Sequence, residues 1–288
     1  MGIVAGNKIL TSKGYKDIQT LSESDLVRTH LNNWKAIEKV ECLTLEGMIS
    51  CIVSVSTNVP IQATHDHPFL TKTMISTGFG DRDYVLSDKL SWTPAASLKA
   101  GKHLLCMPLE QIQTAVPIYI MVDSEIKEPI PIDWFMAGFF FGKGNRTMDV
   151  EFIPPGWSIL REFSSNRDSS TCNHIPEWIQ RLPIDYIKDF IRGFKKSTKR
   201  ISGGYEVINE IVALNLQRMY AKLHRFVRIH ISDSSVCLIE INDNHVSFDK
   251  HYMYIPIVRV SDKPKQSSIY NIEVADDQSY TIQGVASK

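Results

Sequence analysis

Residues 63–69 read Ala63-Thr64-His65-Asp66-His67-Pro68-Phe69, directly after a strand-like stretch at residues 49–55. Four hydrogen-bonding side chains ahead of a proline make a turn, and taken alone the segment need be nothing more. Zinc binding through His65 and His67 is conceivable, but no third ligand stands at a useful spacing. The short separation of Thr64 from His67 lets both side chains reach one backbone amide across a turn. One of them could polarise a carbonyl while the other protonates a leaving nitrogen.

Working outward, the flanking sequence is punctuated by turns. Residues 8–11 form a strand that ends in Ser12-Lys13-Gly14, and residues 37–43 and 49–55 alternate apolar and polar. Many short strands with Gly, Asn and Pro between them predict an all-β body. The character changes after Pro108. Residues 132–142 are a helix-length apolar run closed by Gly142-Lys143-Gly144-Asn145. Ile184, Ile187, Phe190, Ile191 and Phe194 recur at helical spacing, and residues 208–226 repeat that pattern. Residues 227–231 and 236–241 then read as a strand pair. From about Tyr252 the β character returns, with strands expected at 254–260, 269–274 and 279–286. The organisation expected is a β domain in two parts, residues 1–116 and 252–288, interrupted by an α/β domain at 117–251.

The composition sets bounds on this reading. The chain has 288 residues, 43% hydrophobic and 22% charged, with a formal net charge of zero. A balanced charge gives no whole-chain support for a nucleic-acid or membrane surface. The start of the chain lacks the basic flank and apolar core of a secretory signal, and the longest apolar stretch, residues 134–141, is far shorter than a membrane span. The cysteines (Cys42, Cys51, Cys106, Cys172 and Cys237) are odd in number and widely spaced, without a CxxC pair. That fits core residues in a reducing, intracellular compartment better than a disulfide framework or a zinc site.

The quoted segment resembles the A-T-x-D-H-P-F block that follows a strand in inteins, the self-splicing protein inserts, and in related Hint domains. Residues 2–11, with Gly14, Ile18, Leu21 and Asp25-Leu26-Val27, are similar to the opening block of that family. Residues 92–108 resemble the strand pair that closes its first part. Ile269-Tyr270-Asn271-Ile272-Glu273-Val274, Ser279-Tyr280 and residues 284–288 are similar to its last two blocks. The resemblance implies an all-β, horseshoe-like Hint splicing domain. Its chemistry begins when a Cys or Ser at the first position attacks the preceding carbonyl, turning an amide into a thioester or ester. Thr64 and His67 would strain and protonate that amide. The nucleophile after the insert then takes the acyl group, and a terminal Asn cyclises to free the second junction. The partners implied are the flanking host segments (exteins), in cis. No cofactor or metal is called for, and a soluble monomer is expected.

The departures from the pattern matter as much. Gly2 stands where the family has its first nucleophile, and glycine has none. Lys288 stands where the family usually has its penultimate His, so the terminal Asn would fall just beyond it. Asn271 and Gln278 stand where an Asp and a His are usual. As it stands, the chain is expected to be inactive in splicing. A lysine is a poor proton shuttle near neutral pH, so Asn cyclisation in a restored protein is expected to be slow.

Inteins often carry a LAGLIDADG homing endonuclease, whose two motif helices pack together and present an acidic residue each to hold a catalytic metal. Residues 136–144 and 191–199 resemble those two motifs. The acidic positions are held by Lys143 and Thr198. A lysine repels the cation and a hydroxyl carries no charge, so DNA cleavage is not expected. Residues 117–251 hold 17 Lys+Arg and 17 Asp+Glu, so the insert is neutral, which gives weak support for DNA binding. The basic run Lys195, Lys196, Lys199 and Arg200 reads as a solvated helix end. Two other readings remain open: a site-specific DNA endonuclease or DNA-binding protein whose splicing blocks are vestigial, and a hedgehog-like autoprocessing domain, which would share the Thr64/His67 pair.

Overall fold

The computed structural model describes residues 1–77, 84–110, 121–122, 125–126, 133–143, 174–201, 203–241 and 246–288. In chain order its first strands are β1 (Ile3–Val4), β2 (Lys8–Thr11), β3 (Gly14–Asp17), β4 (Leu26–Arg28) and β5 (Trp34–Ser54). They are followed by β6 (Ile61–Thr64), β7 (Pro68–Ser76), β8 (Tyr84–Pro94) and β9 (His103–Pro108). Next come β10 (Met121–Val122), β11 (Glu125–Ile126) and the helices α1 (Trp134–Lys143), α2 (Glu177–Gln180) and α3 (Ile184–Ser197). β12 (Arg200–Ile201), β13 (Gly204–Val207), α4 (Glu210–Lys222), β14 (Val227–Ile231) and β15 (Val236–Glu240) complete this middle part. The chain closes with β16 (Ser247–Phe248), β17 (Tyr252–Val274), β18 (Tyr280–Ile282) and β19 (Val285–Ser287). Strand is the dominant structure. Among the described residues no helix is long and apolar enough to cross a membrane.

The chain divides into two units, residues 1–111 with 241–288, and residues 112–240. The junctions differ from the expected 116/117 and 251/252. The second moves because Ser247 and Phe248 pair with Tyr254 and Met253 of β17, which draws the segment before Tyr252 into the first unit.

The first unit is one antiparallel network in the order β1-β6-β5-β4-β2-β18-β19-β7-β9-β17-β16, with β3 on β2 and β8 on β7. Its spine is the pair β5 and β17, which hydrogen-bond from Ile37↔Val274 to Ser54↔Ile257. Each was expected as two separate strands, and that expectation is corrected here. Gly47 and Pro264 lie in the gaps between those expected strands, but they sit side by side in the ladder, where Gly47 faces Lys265 and Pro264 faces Met48. A strand with one open side can carry a proline without losing a ladder bond. Lower down, β17 changes partner and runs along β9, Tyr252↔Pro108 to Pro256↔Leu104. There Leu70, Leu104, Cys106, Tyr252, Tyr254 and Ala286 form a buried cluster. Val4, Ile49, Cys51 and Ile269 form another beneath β1. Cys51, Cys106 and Cys237 are buried and Cys42 is exposed, all as free thiols, whereas Cys172 lies outside the described residues.

The last expected strand, 279–286, is instead a hairpin. Gln283 and Gly284 have φ of 46° and 90°, the left-handed pair of a two-residue turn that matches strand twist. A side chain at Gly284 would also stand 2.3 Å from Met107 Cε.

In the second unit, α1 and α3 pack against each other through their glycines. A Cβ on Gly138 would lie 1.9 Å from the Phe190 carbonyl oxygen, and one on Gly193 would lie 1.8 Å from that of Phe135. Gly142 lies over Phe194 as Gly138 lies over Phe190, so the two helices run parallel and end together. The adjoining sheet has the order β12-β13-β15-β14. Asn209 caps α4 by accepting from the Val212 amide at 2.8 Å, and Val212, Leu216 and Met219 are buried.

Candidate functional site

The quoted segment forms the turn between β6 and β7. The His67 amide donates to the Thr64 carbonyl at 3.1 Å, which closes the turn. β6 lies against β1, pairing Ala63 with Ile3. The Gly2 amide therefore donates to Thr64 Oγ1 at 2.9 Å, while the Thr64 amide donates to the Gly2 carbonyl at 2.9 Å. Thr64 holds the residue at position 2 by both its N–H and its C=O.

The direction of the Thr64 hydroxyl follows from its neighbours. The Asp66 carboxyl is held below the usual range by the Thr64 hydroxyl first and then by the Met1 ammonium, 3.1 Å away, with burial opposing. The Thr64 hydroxyl donates to the Gly2 carbonyl at 3.3 Å, and its oxygen presents a lone pair to the Gly2 N–H. Such a bond shifts electron density onto the amide nitrogen and makes it easier to protonate.

His67 is 1% exposed. Its pKa is lowered to about 3, by burial first and then by the Met1 ammonium, with Asp66 opposing. Its Nε2 hydrogen-bonds the Ser287 hydroxyl, and Ser287 Oγ also lies 3.3 Å from the Pro68 carbonyl. A serine has one proton. Donated to Pro68, it leaves the oxygen to accept from Nε2–H, so Nδ1 bears a lone pair. Nδ1 is buried and has no hydrogen-bond partner among the described residues. Phe69 and Tyr280 fix the ring from its sides, with centroids at 5.3 and 6.2 Å. The second histidine, His65, points to the Asp262 carboxylate at 3.1 Å. Among the described residues no group of three or more His, Cys, Asp or Glu is placed to hold a metal ion.

A side chain at position 2 would meet Ile269 Cβ and Cδ1 at 3.2 Å and the Tyr270 carbonyl at 3.3 Å. The neighbours must give by a few tenths of an ångström to admit one. The remaining positions in this unit are more dispersed. Lys288 is exposed, and its amide donates to the Pro68 carbonyl at 3.2 Å, next to the turn. Asn271 lies on β17 opposite Glu41 and hydrogen-bonds that carboxylate. Gln278 is exposed on the turn before β18, at φ 46°. The structure thus gathers Gly2, Thr64 and His67 at the turn, with the Lys288 backbone close by, and leaves Asn271 and Gln278 apart.

No protein-family model matches the chain, and a search of the curated proteins finds no match either. What the site can do therefore rests on its own geometry.

In the second unit, Lys143 and Thr198 stand at the ends of the two parallel helices. Lys143 is the last residue of α1, with Nζ 4.9 Å from the Phe139 ring centroid. Thr198 caps α3, its amide donating to the Phe194 carbonyl at 3.2 Å. Neither offers a carboxylate. The basic run is distributed: Lys195 pairs with Glu240, Lys199 stands 3.7 Å from Glu206, and Lys196 and Arg200 line a cleft with Lys188, Arg192 and Arg225. Asp185 and Asp189 in that cleft pair with Lys188 and Arg192 at 3.0 and 3.1 Å.

Two residues were missed by the sequence reading, Ser287 at the first site and His30 apart from it. Ser287, on β19, hydrogen-bonds His67 Nε2. His30, after β4, lies 2.6 Å from Ser279 Oγ through Nδ1. Neither has a local signal, because the partners are 220 and 249 positions apart.

Proposed function

We propose that this chain is a self-splicing protein insert of the intein type, a Hint splicing domain carrying a degenerate LAGLIDADG-like endonuclease. The observation that carries this reading is the double hydrogen bond between Thr64 and Gly2, made at the position where the family has its first nucleophile. With a Cys or Ser at position 2, the side chain attacks the carbonyl of residue 1. A C–S or C–O bond forms, the C–N bond breaks, and the amide nitrogen gains a proton. Thr64 raises the basicity of that nitrogen. His67, neutral at pH 7, enters as a base: it takes the nucleophile's proton at Nδ1 and returns it to the nitrogen. The Ser287–His67 bond ties this turn to the strand that leads to Lys288, which supports placing the two junctions near each other.

Gly2 removes the nucleophile, so the protein as it stands is inert in the first step. The glycine-packed helices α1 and α3 fit the paired motif helices, and Lys143 and Thr198 at their joint end leave no metal-holding carboxylate. The cleft with Lys196, Arg200 and Arg225 favours a second reading in which this unit retains affinity for nucleic acid. A gel shift at low salt on duplex DNA tests that reading, and unshifted DNA removes it.

The splicing reading is tested by fusing a marker protein ahead of residue 2 with Gly2→Cys in place. Added dithiothreitol should release the marker, and release should disappear in Thr64→Ala with His67→Ala. A fusion that dithiothreitol leaves intact counts against the proposal.

A further inference from the structure

Both histidines that the intein pattern puts at the carboxyl-terminal junction are absent, replaced by Gln278 and Lys288. An amide offers no proton to shuttle, and a lysine side chain is a poor proton shuttle near neutral pH. A different histidine stands there. His30 lies in the turn between β4 and β5, where the Thr29 N–H donates to the Asn33 carbonyl at 2.9 Å. Its backbone N–H and its ring Nδ1 both reach the same atom, Ser279 Oγ, at 3.2 and 2.6 Å. Its carbonyl accepts the Tyr252 hydroxyl at 3.0 Å, and its ring stands edge-on to Trp92 at 5.4 Å. The ring is held on these sides, and Nε2 is the nitrogen not engaged by Ser279.

The position of Ser279 decides what His30 faces. The terminal hairpin pairs Tyr280 with Ser287 as its last pair, so Ser279 and Lys288 both lie at its open end. The imidazole is thus fastened at the end of the hairpin where the chain reaches Lys288. The charged groups around it agree with that placement. Burial lowers the His30 pKa most, Asp277 raises it, and the Lys288 ammonium lowers it again. Asp277 is itself fixed by the Thr29 hydroxyl at 2.6 Å and the Asn33 amide at 2.9 Å.

Resting on the splicing reading above, we propose that His30 is the proton-transfer residue of the carboxyl-terminal junction, in the role that Gln278 and Lys288 have given up. The step it serves is cyclisation of an asparagine joined after Lys288. The side-chain amide nitrogen attacks that residue's own main-chain carbonyl carbon. A C–N bond closes the succinimide ring, and the peptide bond to the next residue breaks. One proton leaves the attacking nitrogen and one arrives on the departing amine. Nε2 of His30 takes the first and gives the second, so the exchange balances without another reactant. Ser279 is a positioning residue, because it orients the ring without touching the reacting atoms.

The test uses the full chain with Gly2→Cys, an Asn and a Cys after Lys288, and a marker protein on each side. Two rates are read, release of the first marker by dithiothreitol and spontaneous release of the second. His30→Gln should slow the second at least tenfold and remove its fall as pH drops below about 6.5, leaving the first unchanged. Ser279→Ala keeps the imidazole and should slow the second by a smaller factor. A second rate and pH profile indifferent to His30→Gln overturns the proposal. So does slowing by Lys288→Ala in a protein that ignores His30→Gln, since the lysine would then carry the proton. If dithiothreitol releases the first marker but the second stays attached at every pH, the splicing reading survives and this proposal falls. If neither marker is released, both fall. Where His30→Gln disturbs folding, proton NMR of the unaltered chain decides: the His30 ring should titrate higher in Lys288→Ala, and an unmoved titration rejects the proposal.

Discussion

The Gly2 amide donates to Thr64 Oγ1 at 2.9 Å, and the Thr64 amide answers with a bond to the Gly2 carbonyl of the same length. Gly2 is buried, so the hydroxyl is the partner its N–H has in place of water. Thr64→Val keeps the shape and removes that partner. Leaving a buried amide unsatisfied costs about 1–3 kcal/mol, which urea unfolding should register. In a Gly2→Cys fusion the same change should slow thiol-induced release at least tenfold. A variant that unfolds at the parent's urea midpoint would show that this bond carries no weight.

His67 gives the protein an acid sensitivity with a defined window. Its folded-state pKa of about 3 lies below the ~6.5 of an unfolded histidine, so the unfolded chain binds the proton first. The stabilisation is fully present above pH ~6.5 and is lost as pH falls from there toward about 3, by up to ~1.4 kcal/mol per unit. His30 and His103, also held down by burial, act in the same direction. Unfolding free energies at pH 7, 6, 5 and 4 should fall less steeply in His67→Gln than in the parent. Parallel curves would contradict the assignment.

The glycine contacts of the second unit admit no side chain. Gly138→Ala and Gly193→Ala would each place a methyl under 2 Å from a carbonyl oxygen of the facing helix, and no rotamer change relieves a backbone clash. Each should destabilise the unit by about 2–3 kcal/mol or more, read as a lowered Tm. Gly47→Ala is the control: that residue is exposed on β5 with only Leu45 Cδ1 within reach, at 3.9 Å, and the change should be close to neutral. Equal effects at Gly47 and Gly138 would remove the packing argument.

How much of this was legible in the sequence depended on distance along the chain. The turn at residues 63–69, the hairpin at Ser12 to Gly14 and the α3 face of Ile187, Phe190, Ile191 and Phe194 are local patterns, and they could be read directly. The long β5–β17 ribbon could not, because Gly47 and Pro264 each look like a strand end until the other strand is known to run beside it. The turn at Gln283-Gly284 was missed because glutamine is an unusual residue at positive φ. Ser287 and His30 were invisible for the same reason as the ribbon: their partners become neighbours only when β18 and β19 fold back onto β2 and β7.

Lys143 and Thr198 give a prediction about metal. Replacing both with Asp puts two carboxylates at the joint end of α1 and α3, where the lysine charge and the neutral hydroxyl now stand. Magnesium should raise the Tm of the double variant and leave that of the parent unchanged, because a site occupied only in the folded state stabilises it. A double variant indifferent to magnesium would mean that these positions do not converge as the helix packing implies.

The account stands most directly on ligation. The full chain with Gly2→Cys, followed by Asn and Cys after Lys288 and set between two marker proteins, should yield the two markers joined by a peptide bond and the chain released, each at its own mass in a mass spectrum. The joined product should be absent when Thr64 and His67 are both alanine. If the folded fusion yields no joined product, and thiol cleaves neither junction, the splicing account is wrong.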